Sequence, residues 1–356
     1  MLLAAGLLVL SYVSVFFNPA KAWFMSLFGL LFPVLWLLDM GLFIWALWRR
    51  SRAAWIPALA LLPTVFIVGQ YYQFSSPKED PSDRERQSLS VLSYNVGRFL
   101  SSPEAQKFPS SEKCADSLFS MIRGVDADIV CLQEFHWEDS KEVGKMLKKK
   151  FPGYNVEYFV YPTGNGCFGN VTLSRYPVTG KGQIDFDESA NLSIWTDVKV
   201  GKEKFRIYNC HFQSYNFSLP RFAKSLRKDY KSTLKDTEDK LKISLELRHG
   251  QVDQVMGHIE DCPLSSFVVG DFNDTPLSYT YNHLCSGRSD SFVMAGKGFG
   301  ATYAYMRPFI RIDYILIPRQ YRAISHTVMK NKLSDHYPIL STIVLEGKED
   351  KGGKRP

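Results

Sequence analysis

Charge is nearly missing from the start of this sequence. Residues 1–72 carry only Lys21, Asp39, Arg49, Arg50 and Arg52 as charged groups, which excludes an ordinary water-soluble domain there. A large excess of one sign is missing from the rest. Of the 43 basic and 36 acidic residues in the chain, setting aside those five leaves 39 against 35, and 348–355 supply half of that surplus. Nucleic-acid-binding domains are often far more basic, with the charge gathered on one face; this balance permits an anionic substrate without requiring a polymer. The six cysteines (Cys114, Cys131, Cys167, Cys210, Cys262, Cys285) never adopt the C-x-x-C spacing, which argues against structural zinc. They read mainly as buried thiols, since free cysteine behaves as a small hydrophobe. No internal repeat is present, so a solenoid is excluded.

What the first 72 residues do have is three apolar runs: Leu2 to Phe17, Ala22 to Trp48 and Ala53 to Gly69. A bilayer needs about 20 apolar residues per helix, so the second run spans easily and the outer two sit near the lower limit. Trp23, Trp45, Trp48, Trp55, Tyr71 and Tyr72 lie near run ends, where amphipathic rings favour the headgroup level. Ala20-Lys21-Ala22 has the small-x-small form of a cleavage site, but no basic region precedes it and two further apolar runs follow. The expectation is three transmembrane helices over 1–72. Basic short loops stay cytoplasmic, so the Arg49-Arg50-Arg52 loop puts everything after Tyr72 outside, in the periplasm of a bacterium. Asp39 falls mid-span, where a charge is costly and marks either a contact or a helix-packing hydrogen bond.

Residues 73–88 are polar and charged and read as a linker; 347–356 read as a basic disordered tail. Between them, 89–346 form the expected catalytic domain. Ser90–Val96, Ala127–Leu132, Asn155–Tyr161, Asn170–Leu173, Ser193–Val200, Lys204–Phe212, Ser266–Val269, Arg311–Ile317 and Ile339–Leu345 have strand character. Ser111–Arg123, Lys141–Lys150 and Ile243–Ile259 have helical spacing. Such interleaving predicts an α/β sandwich with mixed sheets. Residues 221–250 hold 9 basic and 5 acidic side chains, a solvated face or a phosphate-backbone contact.

The chemistry sits where strands end. Ser90-Val91-Leu92-Ser93-Tyr94 ends in Asn95, and Asp128 to Gln133 ends in Glu134. Arg206 to Cys210 ends in His211, and Phe267 to Gly270 ends in Asp271-Phe272-Asn273. Asp313 opens the strand after Arg311-Ile312, while Ser334-Asp335-His336-Tyr337-Pro338 precedes the last one. Loops at strand ends converge side chains on a rigid frame. Singly, each motif has a structural explanation: a tight turn for Gly-Asp-Phe-Asn, a satisfied core histidine for His211, a strand cap for Ser-Asp-His-Tyr-Pro.

Taken together and in this order, these motifs resemble the endonuclease/exonuclease/phosphatase superfamily, whose members include deoxyribonucleases, neutral sphingomyelinases and deadenylases. The likeness covers residues 88–346, and the three apolar runs are most similar to membrane-anchored bacterial members. It implies a four-layer sandwich of two mixed β-sheets flanked by helices. It further implies that Asn95, Glu134 and Asp335 hold or adjoin Mg²⁺ or Mn²⁺, whose hard character suits oxygen ligands. Asp271 would orient or deprotonate the attacking water, and Asn273 would hydrogen-bond the scissile phosphate. His336 would contact a phosphate oxygen, held by Asp313, and His211 would serve as general acid for the leaving oxygen. Arg311-Ile312-Asp313-Tyr314 is nuclease-like and unlike the inositol phosphatases. The leading expectation is an outward-facing, nuclease-like phosphodiesterase. A lipid-headgroup phosphodiesterase or phosphatase, brought close by the bilayer partner, is the second, and an inactive binding module the third.

Overall fold

Described residues form ten α-helices and fourteen strands. The helices are α1 (Leu2–Val13), α2 (Pro19–Trp48), α3 (Trp55–Leu61), α4 (Thr64–Ile67), α5 (Ser111–Val125), α6 (Val143–Lys150), α7 (Leu219–Leu226), α8 (Tyr230–Glu260), α9 (Tyr279–Leu284) and α10 (Ser291–Ala295). The strands are β1 (Tyr72–Gln73), β2 (Ser88–Asn95), β3 (Ile129–Trp137), β4 (Asn155–Thr163), β5 (Gly166–Ser174), β6 (Val178–Asp185), β7 (Leu192–Val200) and β8 (Glu203–His211). They continue with β9 (Ser265–Asp271), β10 (Arg288–Asp290), β11 (Gly298–Phe299), β12 (Asp313–Pro318), β13 (Arg322–Val328) and β14 (Ile339–Val344). The structure, a computed structural model, describes residues 1–345 apart from 77–79, 81, 82, 84, 85, 188, 216–218 and 228. Part of the expected linker and all of the expected 347–356 tail therefore lie outside the described residues.

Two six-stranded mixed sheets make the domain that follows the N-terminal helices. One has the order β13-β14-β2-β3-β5-β4 and the other β10-β12-β9-β8-β7-β6. In each, one central pair is parallel (β2 with β3, β8 with β9) and the other neighbours are antiparallel. Three apolar layers hold the stack together. Leu89, Val91, Ile129, Phe205, Phe267 and Ile343 belong to the layer between the sheets. Alternate residues such as Leu92, Val130 and Leu132 pack outward on Leu118, Phe119 and Ile122 of α5. Tyr208, Val268 and Leu316 do the same against Val252 and Val255 of α8. α5 forms because its apolar residues fall at helical spacing, with Ser110 accepting from the Lys113 N–H at the start and Asp126 in the left-handed region at the end.

β6 and β13 lie outside the strands expected from the sequence. Both are sheet edges, and the half-buried alternation of β6 (Val-Thr-Gly-Lys-Gly-Gln-Ile-Asp) carries two glycines that weaken the strand signal. The basic 221–250 stretch is α7 and most of α8, whose first half is largely exposed. This supports the solvated-face reading.

The N-terminal helices form a bundle that leans on the domain. α1, α2 and α3 pack on one another, and α2 packs along α8. Among described residues, two helical stretches are long and apolar enough to cross a membrane, Pro19–Trp48 and Arg52–Gln70; Leu2–Phe16 is shorter. Asp39 is buried within the bundle and neither carboxylate oxygen has a described partner. At the junction, Leu277 of the loop after β9 enters an apolar cluster with Ala5, Leu8, Phe32 and Ala60. Gly29 makes this possible: a Cβ there would stand 2.0 Å from the Leu277 carbonyl oxygen.

Candidate active site

Strand direction gathers the polar ends. β2, β8 and β9 finish, and β3 leaves its parallel pairing with β2, at the same edge at which the antiparallel β12 and β14 begin, as the pairings Asn95↔Gln133, His211↔Asp271, Asp313↔Asp271 and Ile339↔Ser93 record. Gly270 has φ 133°, and its Cα lies where a Cβ would meet the Cys210 carbonyl oxygen at 2.0 Å. Only glycine fits here, one residue before Asp271 closes β9. In β3 the pairing with β5 breaks between Leu132 and Phe135, and Glu134 adopts φ 51°. Such a bulge re-aims a side chain, here into the cleft. Asn273 and Arg98 also have positive φ, at 53° and 54°, a concentration of backbone strain typical of functional sites.

All eight expected residues meet in one cleft. Asn95 Nδ2 donates to Asp271 Oδ2 at 2.9 Å and to Glu134 Oε1 at 3.2 Å. Its own Oδ1 accepts from the Gly97 N–H at 3.0 Å, so the amide turns its N–H groups, not its oxygen, toward the carboxylates. His211 Nε2 lies 3.5 Å from Glu134 and 3.9 Å from Asp271. Asp271 Oδ1 accepts from the Asn273 backbone N–H at 2.8 Å, and Asn273 Nδ2 donates to the Phe212 carbonyl at 2.9 Å. His336 Nδ1 contacts Asp313 Oδ2 at 2.9 Å while Nε2 faces Asp271 at 3.7 Å. Asp335 lies beside Gly97, and Ser334 Oγ donates to the Asn95 carbonyl at 2.8 Å, tying the last loop to the first strand.

The two histidines hold opposite charge states. Burial opposes protonation of both. For His336 the adjacent Asp313 and Asp271 outweigh it, and the ring is held well above its ordinary value, as an imidazolium. His211 lacks such close pairing and is pushed down to about 4. That shift favours the uncharged ring near neutral pH. Burial raises Asp271 to about 6 against the pull of His336. Glu134 is raised by burial, with Asp335 adding to it.

Several participants were not singled out in the sequence. Arg98 Nε approaches Glu134 Oε2 at 3.8 Å and its guanidinium lies 4.7 Å over Phe168. A cation three residues past a strand-end asparagine was the available signal. Tyr303 bridges His336 through the backbone and sets its ring 5.5 Å from the imidazole. Beneath the cleft, Gln133 Nε2 donates to Asn209 Oδ1 at 2.7 Å, and Asn209 Nδ2 to the Val171 carbonyl at 2.9 Å. These buried amides join the two sheets under the site. A cavity of ≈ 440 Å³ opens beside Glu134 and His211, walled by Arg98, Phe168, Asn191 and Lys240.

The donor set fits a hard divalent cation. Asp271, Asp313 and His336 offer ligand atoms within 4.8 Å of one another. His336 as an imidazolium paired to Asp313 is a poor ligand, however. Glu134 and Asp335 fit better: a quarter of the Glu134 side chain is open to solvent, and a cation beside it would relieve the burial and like charge that raise it.

A family model described as the Endonuclease/Exonuclease/phosphatase family matches residues 92–336, and another, a domain of unknown function, matches 1–71. No curated protein matches the chain. Among solved structures, an endonuclease/exonuclease/phosphatase from Beutenbergia cavernae DSM 12333 is 17% identical over 74% of this chain and 72% of that one, with a TM-score of 0.54. The Bacteroides vulgatus endonuclease/exonuclease/phosphatase is 17% identical over 73% and 100%, with a TM-score of 0.54. The human Nocturnin catalytic domain with bound sulfate anion is 17% identical over 75% and 99%, with a TM-score of 0.52. These likenesses are of fold.

Proposed function

The chain belongs to the endonuclease/exonuclease/phosphatase family, and from that premise we propose that it is a membrane-anchored, divalent-cation-dependent phosphodiesterase. The observation that carries this reading is the ring of partners around Asp271: Asn95, Asn273 and cationic His336, with Glu134 one hydrogen bond away. Asp271, steered by Asn95 and Asn273, accepts the proton of an attacking water. His336, fixed by Asp313 on Nδ1, presents Nε2–H to a phosphate oxygen and stabilises the charge that develops there. Asn273 adds a hydrogen bond to the scissile phosphate, neutral His211 faces the leaving oxygen, and Arg98 brings a second positive charge to the same rim. Glu134 and Asp335 would hold Mg²⁺ or Mn²⁺, which supplies Lewis-acid stabilisation when bound. Asn95 joins them through its bond to Glu134 rather than through its oxygen.

The anchor is residues 1–72 as three crossings, with 73–88 as linker, 89–346 as catalytic domain and 347–356 as tail. Length supports α2 as a span. α1, at 12 residues, covers about 18 Å and crosses only with help from the short helix that follows it. The bundle meets the domain through Gly29, Tyr71 and the packing of α2 on α8, whereas the Arg49-Arg50-Arg52 turn lies about 30 Å along α2 from Gly29. That separation supports a cytoplasmic turn and an extracytoplasmic domain.

Substrates remain within the phosphodiesters, nucleic acid or lipid headgroup. The test uses the full chain in detergent with Mg²⁺ on plasmid DNA, RNA and sphingomyelin side by side. Hydrolysis of one of them, abolished by chelator and by Asp271→Asn, is expected. Activity untouched by both treatments sinks the proposal.

A further inference from the structure

The loop from β11 to β12 has an inner face that serves the site. Tyr303 bridges His336, the Ala304 N–H donates to the Asp335 carbonyl at 2.8 Å, and Thr302 Oγ1 accepts from the Asp313 N–H at 3.2 Å. Its outer face is apolar and uncovered: Tyr305 is 56% exposed, Met306 53% and Phe309 40%. Exposed apolar residues scattered singly mean little, but a run of them along one loop marks an interaction surface. Arg307 stands within the run, beside Tyr337.

Continuity identifies what covers this face. The loop starts at Phe299, which pairs with Tyr72 and stacks edge-on against it at 4.9 Å. Tyr72 in turn touches Phe74, 77% exposed, and the Gly300 N–H donates to the Tyr71 carbonyl at 3.0 Å. The loop is thus bonded to the point at which the chain leaves the last apolar helix. Aromatic side chains with a neighbouring arginine are what the headgroup level of a membrane favours.

The two sequence features that favoured nucleic acid are otherwise engaged. Arg311 of the nuclease-like motif is 2% exposed and ion-paired to Asp290 at 2.7 Å, so it reaches no phosphate. In the basic stretch, the cations of α8 alternate with Asp236, Glu238, Asp239 and Glu246. Among the described residues, neither Arg311 nor α8 builds the converging positive track that a polyanion requires.

We infer that the 299–309 loop rests on the bilayer surface, so that the cleft receives an amphiphilic phosphodiester, a lipid headgroup, from the membrane that anchors the chain. This rests on the phosphodiesterase reading above. The test places the full chain in vesicles containing sphingomyelin, phosphatidylcholine, phosphatidylethanolamine and phosphatidylglycerol, with Mg²⁺ present. Headgroup release is compared with hydrolysis of soluble bis(p-nitrophenyl) phosphate, for the parent and for Met306→Ser/Phe309→Ser. The variant is expected to lose about tenfold on lipid while its soluble rate stays within about twofold, since only apolar insertion is removed. A parent that cleaves neither substrate overturns the phosphodiesterase reading itself. A parent that cleaves the soluble ester but no lipid, or a variant that loses neither or both equally, overturns this inference alone. An environment-sensitive fluorophore on Met306→Cys gives an answer independent of rates. Its emission should shift to the blue relative to the equally labelled parent, and a water-exposed spectrum contradicts the inference.

Discussion

At the scale of single residues, environment assigns roles that residue type leaves open. His211 and His336 are the same side chain at the same strand edge, yet burial leaves one neutral and Asp313 makes the other a cation. If Glu134 is a metal ligand, Glu134→Gln should lose rate chiefly through weaker Mg²⁺ binding, and excess metal should recover part of it. His336→Ala removes charge stabilisation and should lose about 10²- to 10³-fold with no recovery, and Asp313→Asn should be a milder copy. Rate against Mg²⁺ concentration for the three variants decides; recovery of His336→Ala alone would invert the assigned roles. A second prediction concerns His326, buried on β13 with Ser291 Oγ 2.9 Å from its Nδ1 and held down to about 4 by burial. Its folded value lies below the unfolded one, so the folded state disfavours the proton. Stability is full above about 6.5 and falls as pH drops toward about 4, by about 1.4 kcal/mol per pH unit from this group. Melting temperature against pH for His326→Gln should be flatter than for the parent over that window, and an unchanged slope would refute it.

At the scale of elements, the site depends on contacts between segments far apart in the chain. Strand ends are legible because a polar residue closing an apolar alternation has few structural uses. The bulge that turns Glu134 into the cleft is not legible, because it arises from a register shift between β3 and β5 and not from Glu134 itself. Nor is the bridge from Tyr303 to His336, which exists only where the loop before β14 is brought beside it. The sharpest case is Gly29. It reads as one more small residue in an apolar run, yet the close approach of α2 to the loop after Asp271 and Asn273 requires it. Gly29→Val should push α2 from that loop, destabilising by about 1 to 3 kcal/mol and lowering phosphodiester hydrolysis. Gly41→Ala in the same helix, where a Cβ meets nothing within 4 Å, should change neither. Equal melting temperatures and rates for Gly29→Val and the parent would show that the bundle does not brace the loop.

At the scale of the whole molecule, the N-terminal helices and the sandwich are one structure rather than a tether and its cargo. The proposed orientation predicts that a reporter active only outside the cytoplasm, fused after Pro356, is active, and that a cytoplasmic reporter there is silent. The opposite pattern reverses the topology. The interleaving of strand and helix patterns, with the resemblance carried by the strand-end motifs, was enough to anticipate two mixed sheets flanked by helices, and the same motifs hold the eight side chains that converge. The sheets were legible because strand and helix periodicity follow from local composition, and the cleft residues because most of them close or flank a strand. Tertiary structure alone decided the charge of the two histidines, the direction of the Asn95 amide, the buried pairing of Arg311 and the seating of Gly29 on Leu277. Each depends on distance, burial or register between residues up to hundreds of positions apart, which no local pattern encodes.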